Sequence, residues 1–198
     1  MKKLRFLATL AFLFVASFAH AERIKLISGD LSVLKGIKKL NVEYDYANME
    51  VGKKSEREYV ADKKESYNKK EPGRGDKWEE SWISDRSRRF EPRFEEAFNS
   101  ASNVQIGIYP KEKYTLIFKT VFTEPGFNIG ITRKNAYIDG EVWIVETADH
   151  NKVIAKLSCE DCPGRTFGGY DFDTGERIQE AYAMAGKGLG RYLGKYID

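Results

Sequence analysis

Cysteine and histidine are nearly absent from this 198-residue sequence, which has two of each. Two cysteines cannot form a disulfide framework, so the fold must rest on an apolar core. A zinc site needs about four protein ligands. Beyond the amino-terminal segment, only His150 is there to join Cys159 and Cys162. No Gly-x-Ser-x-Gly accompanies His150, so an α/β-hydrolase arrangement has no support. Long apolar runs are also missing, with one exception at the start, and no later stretch reads as a bilayer span.

That one run, Phe6 to Phe18, follows the bases Lys2, Lys3 and Arg5 and precedes Ala19-His20-Ala21. A positive region, a short apolar run and a small-x-small tripeptide predict a cleavable export signal over 1–21, with the mature chain starting at Glu22. The alternative, a retained anchor, is disfavoured because the run is short and charged residues follow at once. No cysteine stands at the cleavage point to take a lipid. Cleavage also changes the charge balance. The chain has 33 Lys and Arg against 30 Asp and Glu, and losing Lys2, Lys3 and Arg5 leaves 30 of each. A neutral exported chain lacks the basic surplus of a nucleic-acid binder. The mature length suits one domain, 22–198, with a sizeable core.

Aromatic residues are plentiful, and their periodicity organises the chain. Arg23 to Ser28 reads as a short edge strand, Leu31 to Gly36 as a turn or helical piece. Lys39 to Tyr46 alternates clearly, with Leu40, Val42, Tyr44 and Tyr46 on one face. The stretch near 52–76 is crowded with Lys, Glu, Asn and Gly, and a charged, solvated and mobile segment is expected there. Asp76 with Glu79 predicts a capped helix start, and Pro92 a kink or restart with the proline in the first turn of the second piece. Strands are predicted near 104–108, at Tyr114 to Phe122, at Ala136 to Glu146 and at Lys152 to Cys159, the last two joined over Ala148 to Asn151. A final helix follows from about Glu176 to Lys195. The order predicts an α+β fold: an antiparallel sheet of about four to five strands with two main helices on one face.

Few residues suggest chemistry. Cys159-Glu160-Asp161-Cys162 is a C-x-x-C whose two acids disfavour a thiolate and which no helix follows, so catalytic redox is not expected. A disulfide between Cys159 and Cys162 and a pair of incidental thiols both remain open. His150 falls in a predicted polar turn. Asp171, Asp173, Thr174 and Glu176 do not have EF-hand spacing, and the cluster reads better as a helix cap. Gly186, Gly190 and Gly194 recur every fourth residue in the last helix, at a cost in propensity of roughly 1 kcal/mol each. Close packing on the protein's own core, a docking face and a membrane-like small-residue interface compete to explain them. The composition supplies no catalytic, cofactor-binding or metal-ligating set.

Glu124-Pro125-Gly126-Phe127-Asn128-Ile129-Gly130 and Asp173 to Tyr182 running on to Gly190 resemble an exported family of unknown function from Bacteroides-type bacteria. Gly29 to Gly36 and Asn41 to Gly52 extend the likeness over most of the mature chain. The resemblance implies no activity, substrate or cofactor. The element order is also similar to small periplasmic α+β modules such as the TolB amino-terminal domain. The expectation is an exported, non-enzymatic binding or accessory module of the cell envelope, periplasmic or secreted, whose partner is an envelope protein or a glycan. An exported hydrolase or thiol redox protein is the alternative. Mass spectrometry of the exported protein should find Glu22 as the first residue, and an intact Met1 on membrane-bound material would overturn the export reading.

Overall fold

The structure, a computed structural model, describes residues 23–164 and 173–197. The export segment, Asp171 and most of the glycine-rich stretch after Gly164 lie outside them. Alternating residues make strands where expected. β1 (Arg23–Gly29) is an edge strand, followed by a 3-10 turn at Ser32–Leu34. β2 (Lys39–Asp45) leads to two two-residue strands, β3 (Glu50–Val51) and β4 (Lys54–Ser55). The charged stretch expected near 52–76 forms β4 and α1 (Glu56–Lys70). Ser55 and Glu58 close a reciprocal capping box at its start.

The next helix starts earlier than Asp76. α2 (Arg74–Asp85) is preceded by Gly73 at φ 80, with no side-chain cap. Asp76 therefore sits in its first turn and is spent, with Glu79, on Lys64 of α1. The predicted capping pair is real as a pattern, but an ion pair across the α1–α2 hairpin claims both carboxylates. A π turn, Arg86–Phe90, joins α2 to α3 (Glu91–Ala101), with Pro92 in the first turn of α3. The Glu91 N–H reaches the Arg86 carbonyl five residues back. Pro92 has no N–H and crowds the turn before it, and the wider π register makes room.

β5 (Gln105–Gly107), β6 (Tyr114–Glu124), a small β7–β8 ribbon (Phe127–Asn128 and Arg133–Lys134), β9 (Ala136–Glu146), β10 (Asp149–Gly164) and α4 (Thr174–Ile197) complete the described chain. The main sheet corrects the sequence expectation in number and direction. It has eight strands, not four to five, in the order β1-β10-β9-β6-β2-β5, with β3 paired to the last residues of β6 and β4 paired to β3 off that path. It is mixed: β2 runs parallel to β5 and β6, and β3 parallel to β6. The helical run between β2 and β5 is a crossover, which returns the chain in the same direction. Alternation reports which face of a strand is buried and carries no information about a neighbour's direction. β3 and β4 are too short to show any period.

Register places Val42, Leu116, Phe118, Val142 and Leu157 on one face of the sheet, and that face is roofed by α3 and α4. The opposite face carries a row of Asp45, Lys119, Glu141 and Ser158. Trp143 stands there with the Lys119 and Lys156 ammonium groups 4.4 and 3.8 Å from its ring centroid. Inside, Phe94 packs on Phe118 at 4.7 Å, and Phe90 stacks on Tyr182 at 5.0 Å. Each such buried ring contributes roughly 1.5–3 kcal/mol.

The glycine stripe of α4 is resolved in favour of the protein's own core. A Cβ on Gly186 would lie 2.2 Å from the Phe94 carbonyl oxygen, and one on Gly190 2.7 Å from that of Phe98, whereas Gly194 has nothing within 4 Å. Gly186→Ala should therefore destabilise the protein by about 1–3 kcal/mol through overpacking, and Gly190→Ala by less. Gly194→Ala should stabilise it by up to about 1 kcal/mol through better helix propensity. Thermal melts of the three variants test the order, and a normal melt for Gly186→Ala would remove the close approach.

Candidate functional site

The polar groups of the protein converge where β2 and β3 meet the α1–α2 hairpin and the π turn. The capping box fixes Glu56 as the first residue of α1. Trp82, on the inner side of α2, donates its indole N–H to Glu56 Oε1 at 2.7 Å. Arg86, re-aimed by the π turn, donates to both Glu56 oxygens at 2.5 and 2.6 Å. Both members of the pair are largely buried, and the Arg86 guanidinium lies 4.3 Å from the Tyr46 ring centroid. Charge, ring and indole hold one another in place.

Behind this pair runs a second polar layer. Tyr46 donates to Glu91 Oε1 at 3.2 Å. The Tyr44 hydroxyl lies 3.2 Å from Glu95 Oε1 and 3.3 Å from the Glu91 carbonyl oxygen, so it donates to one at a time. Tyr182 and Thr120 share a hydroxyl–hydroxyl bond of 2.6 Å. Burial raises the phenols of Tyr44, Tyr46 and Tyr182 well above the ordinary range, so they stay protonated donors. Burial also holds the Glu91 and Glu95 carboxyls above their usual values. A small space of about 10 Å³ between Tyr46, Trp82, Arg86 and Tyr182 has room for no more than a single water.

In front of it lies an open cleft of about 770 Å³, lined by Asn48, Met49, Glu56, Lys64, Glu79 and Ile83 among others. Lys64 pairs with Asp76 at 2.9 Å and Glu79 at 2.7 Å, and these bonds push its ammonium up to about 12. Ile83 is 47% exposed at the rim, while Met49 and Val60 form an apolar floor. The lining thus offers two sets of ion-paired charge, with Glu50 and Arg57 beside them, around a small apolar patch. Ser55 is occupied by Glu58, and neither cysteine nor histidine reaches the cleft.

The residues singled out from sequence lie elsewhere. Cys159 and Cys162 are both fully buried in β10, flanking a bulge at which Asp161 takes φ 52. They present no sulfur to solvent. His150 lies in the first residues of β10, exposed, with Nε2 3.6 Å from Glu43 Oε1 on the open face of the sheet. Asp173 accepts from the Gly175 N–H at 2.6 Å at the start of α4 and pairs with Arg89 at 3.0 Å. Among the described residues no group of three or more His, Cys, Asp or Glu is arranged to hold a metal ion.

Sequence reasoning missed Glu56, Arg86 and Arg177. Ser55-Glu56-Arg57-Glu58 carries the S-x-x-E signature that placed Glu56, and Pro92 signalled the irregular turn that aims Arg86. Nothing in the sequence marked Arg177, which is buried in α4 and donates to the carbonyl oxygens of Pro125 at 3.1 Å and Gly126 at 3.3 Å.

No protein family model matches this chain, and no curated protein does. Solved structures similar to it include the following two. One is the PelC dodecamer from Paraburkholderia phytofirmans, at 11% identity and a TM-score of 0.44, covering 87% of this chain and 97% of that one. The other is a leucine-to-methionine variant of the PelC dodecamer from the same organism, at 10% identity and a TM-score of 0.43, covering 88% and 98%.

The raised carboxyls behind the cleft give the stability a distinctive pH dependence. A carboxyl whose folded value exceeds its unfolded value binds more protons when folded, so stability falls as pH rises between the two values. Glu95→Gln keeps an acceptor for Tyr44 and removes the buried charge. The variant should melt above the wild type at neutral pH and match it below about pH 4. A difference that does not change with pH would mean that Glu95 is not held out of its ordinary range.

Proposed function

We propose that the protein is an exported, non-catalytic binding module of the cell envelope that holds its partner, an envelope protein or a glycan, in the cleft between the β2–β3 connection and the α1–α2 hairpin. The observation that carries this reading is the state of the two innermost carboxylates of the cleft, Glu56 and Glu79. Glu56 is saturated by Arg86 and Trp82, and Glu79 by Lys64. A general base must be able to take a proton and a nucleophile must be activated by a neighbour. Carboxylates fixed in ion pairs serve neither role well. They do provide a preorganised pattern of donors and acceptors around Met49, Val60 and Ile83, which suits recognition.

The reading draws on the amino-terminal signal for the compartment. It is also consistent with the helices, since no helix among the described residues is long and apolar enough to cross a membrane.

The tagged protein should be purified from its native envelope in three forms: wild type, Ile83→Asp and the distant Lys152→Glu. Wild type and Lys152→Glu should retain the same co-purifying protein or polysaccharide, and Ile83→Asp should lose it with an unchanged melt. Turnover of any substrate that Glu79→Gln abolishes without unfolding the protein would replace this reading with an enzymatic one.

A further inference from the structure

The β7–β8 ribbon projects from the fold as a separate two-stranded sheet. Its connection presents Phe127, Ile129 and Ile131, which are 44%, 64% and 96% exposed. Three large apolar side chains within five positions have no core of their own to join, so the described domain leaves their hydration cost unrelieved. The base of the ribbon, by contrast, is firmly built. Arg177 holds the carbonyls of Pro125 and Gly126, and Lys134 pairs with Glu124 at 2.6 Å. Gly126 takes φ +62, and a Cβ there would lie 2.3 Å from the Lys134 carbonyl oxygen. The turn is closed by Ile129 N–H to Thr132 at 3.1 Å and by Gly130 N–H to the Asn128 side chain at 2.9 Å. A fixed base and an apolar tip are the opposite of a loop left over between strands.

Cations lie beside the base of the ribbon. Arg133 and Lys134 follow the turn, and Lys53, Lys54 and Lys63 line the neighbouring cleft that Phe127 closes. Lys54 pairs with Asp62 and Lys134 with Glu124. Among the described residues no carboxylate forms an ion pair with Lys53, Lys63 or Arg133.

We propose that this end of the protein docks on an anionic lipid surface, with Phe127, Ile129 and Ile131 entering the headgroup–acyl boundary and Lys53, Lys63 and Arg133 meeting the headgroup phosphates. The convex form of the tip selects this occupant. A protein partner would need a matching cup for each protruding side chain, whereas a bilayer interface accepts them without one. The cations behind the tip match negative headgroups in sign. The docking does not depend on what fills the cleft at the other side of α1.

The test is sedimentation of the mature protein with vesicles of phosphatidylcholine, with and without phosphatidylglycerol. Binding should be at least about tenfold stronger to the anionic vesicles and should weaken with salt. Replacing Ile129 and Ile131 together by Ser should cost about tenfold or more. Lys53→Ser and Arg133→Ser should each cost about fivefold. In Ile131→Trp, emission should shift to the blue on anionic vesicles, which reports entry of the tip independently of affinity. Failure to sediment with anionic vesicles, wild-type binding by the serine variant, or an unshifted spectrum from bound Ile131→Trp protein would each overturn the proposal, the first leaving a protein as the occupant of the tip.

Discussion

Helix α4 passes α3 so closely that carbonyl oxygens of Phe94 and Phe98 occupy the space that β-carbons at positions 186 and 190 would need. The depth of the helical layer follows from that spacing. It lets Tyr182 lie flat on Phe90 and still reach Thr120 on β6. It brings Phe94 down onto Phe118. Because Phe90 ends the π turn, its seat against Tyr182 also sets where that turn runs, and so where Arg86 points. The contact between Arg86 and Glu56 is thus several steps removed from a pair of glycines, each step made by packing. A wider spacing would reach the cleft as a misplaced guanidinium before it opened any void.

The charges at this end of the molecule are arranged in two layers of different character. The outer layer, Glu56 with Arg86 and Lys64 with Asp76 and Glu79, consists of opposite charges in contact. A largely buried pair of this kind contributes little net stability, but it penalises any displacement of either partner. The inner layer pairs tyrosine hydroxyls with carboxyls that burial holds above their usual values. The result is a rigid wall behind a wet cleft, with little freedom for the side chains that a bound partner would meet.

Much of the architecture was legible in the residues. β6 and β9 begin where alternation predicts, Pro92 marks the restart at α3, and the aromatic spacing of α2 and α3 gives their inner faces. The direction of strand pairing was not legible, because Leu40, Val42 and Tyr44 alternate identically beside a parallel or an antiparallel neighbour. Two capping signatures competed in one charged region. Ser55 and Glu58 act as a cap, whereas Asp76 and Glu79 are drawn to Lys64 by a tertiary contact that no local rule contains. The cleft was hidden for the same reason. Its residues come from the β2–β3 connection, α1 and α2, none has an unusual side chain, and only their assembly makes them a site. Cys159 and His150 are conspicuous by type, yet the fold places one in the core and the other at an exposed hairpin end.

The crossover of β2 has a consequence for how the chain reaches this structure. Asn41 and Thr115 are 74 positions apart and hydrogen-bond across the centre of the sheet at 3.2 Å. β9 and β10, by contrast, are joined by only Thr147 and Ala148. Local pairings close quickly, while a parallel pairing over so long a loop carries its closure entropy before any contact repays it. This topology favours a β6–β9–β10 meander that exists before β2 arrives. During that interval β6 has an open edge bearing Leu116, Ile117 and Phe118, a template for pairing with another chain. The helical crossover therefore also sets how long a newly made molecule remains prone to aggregation.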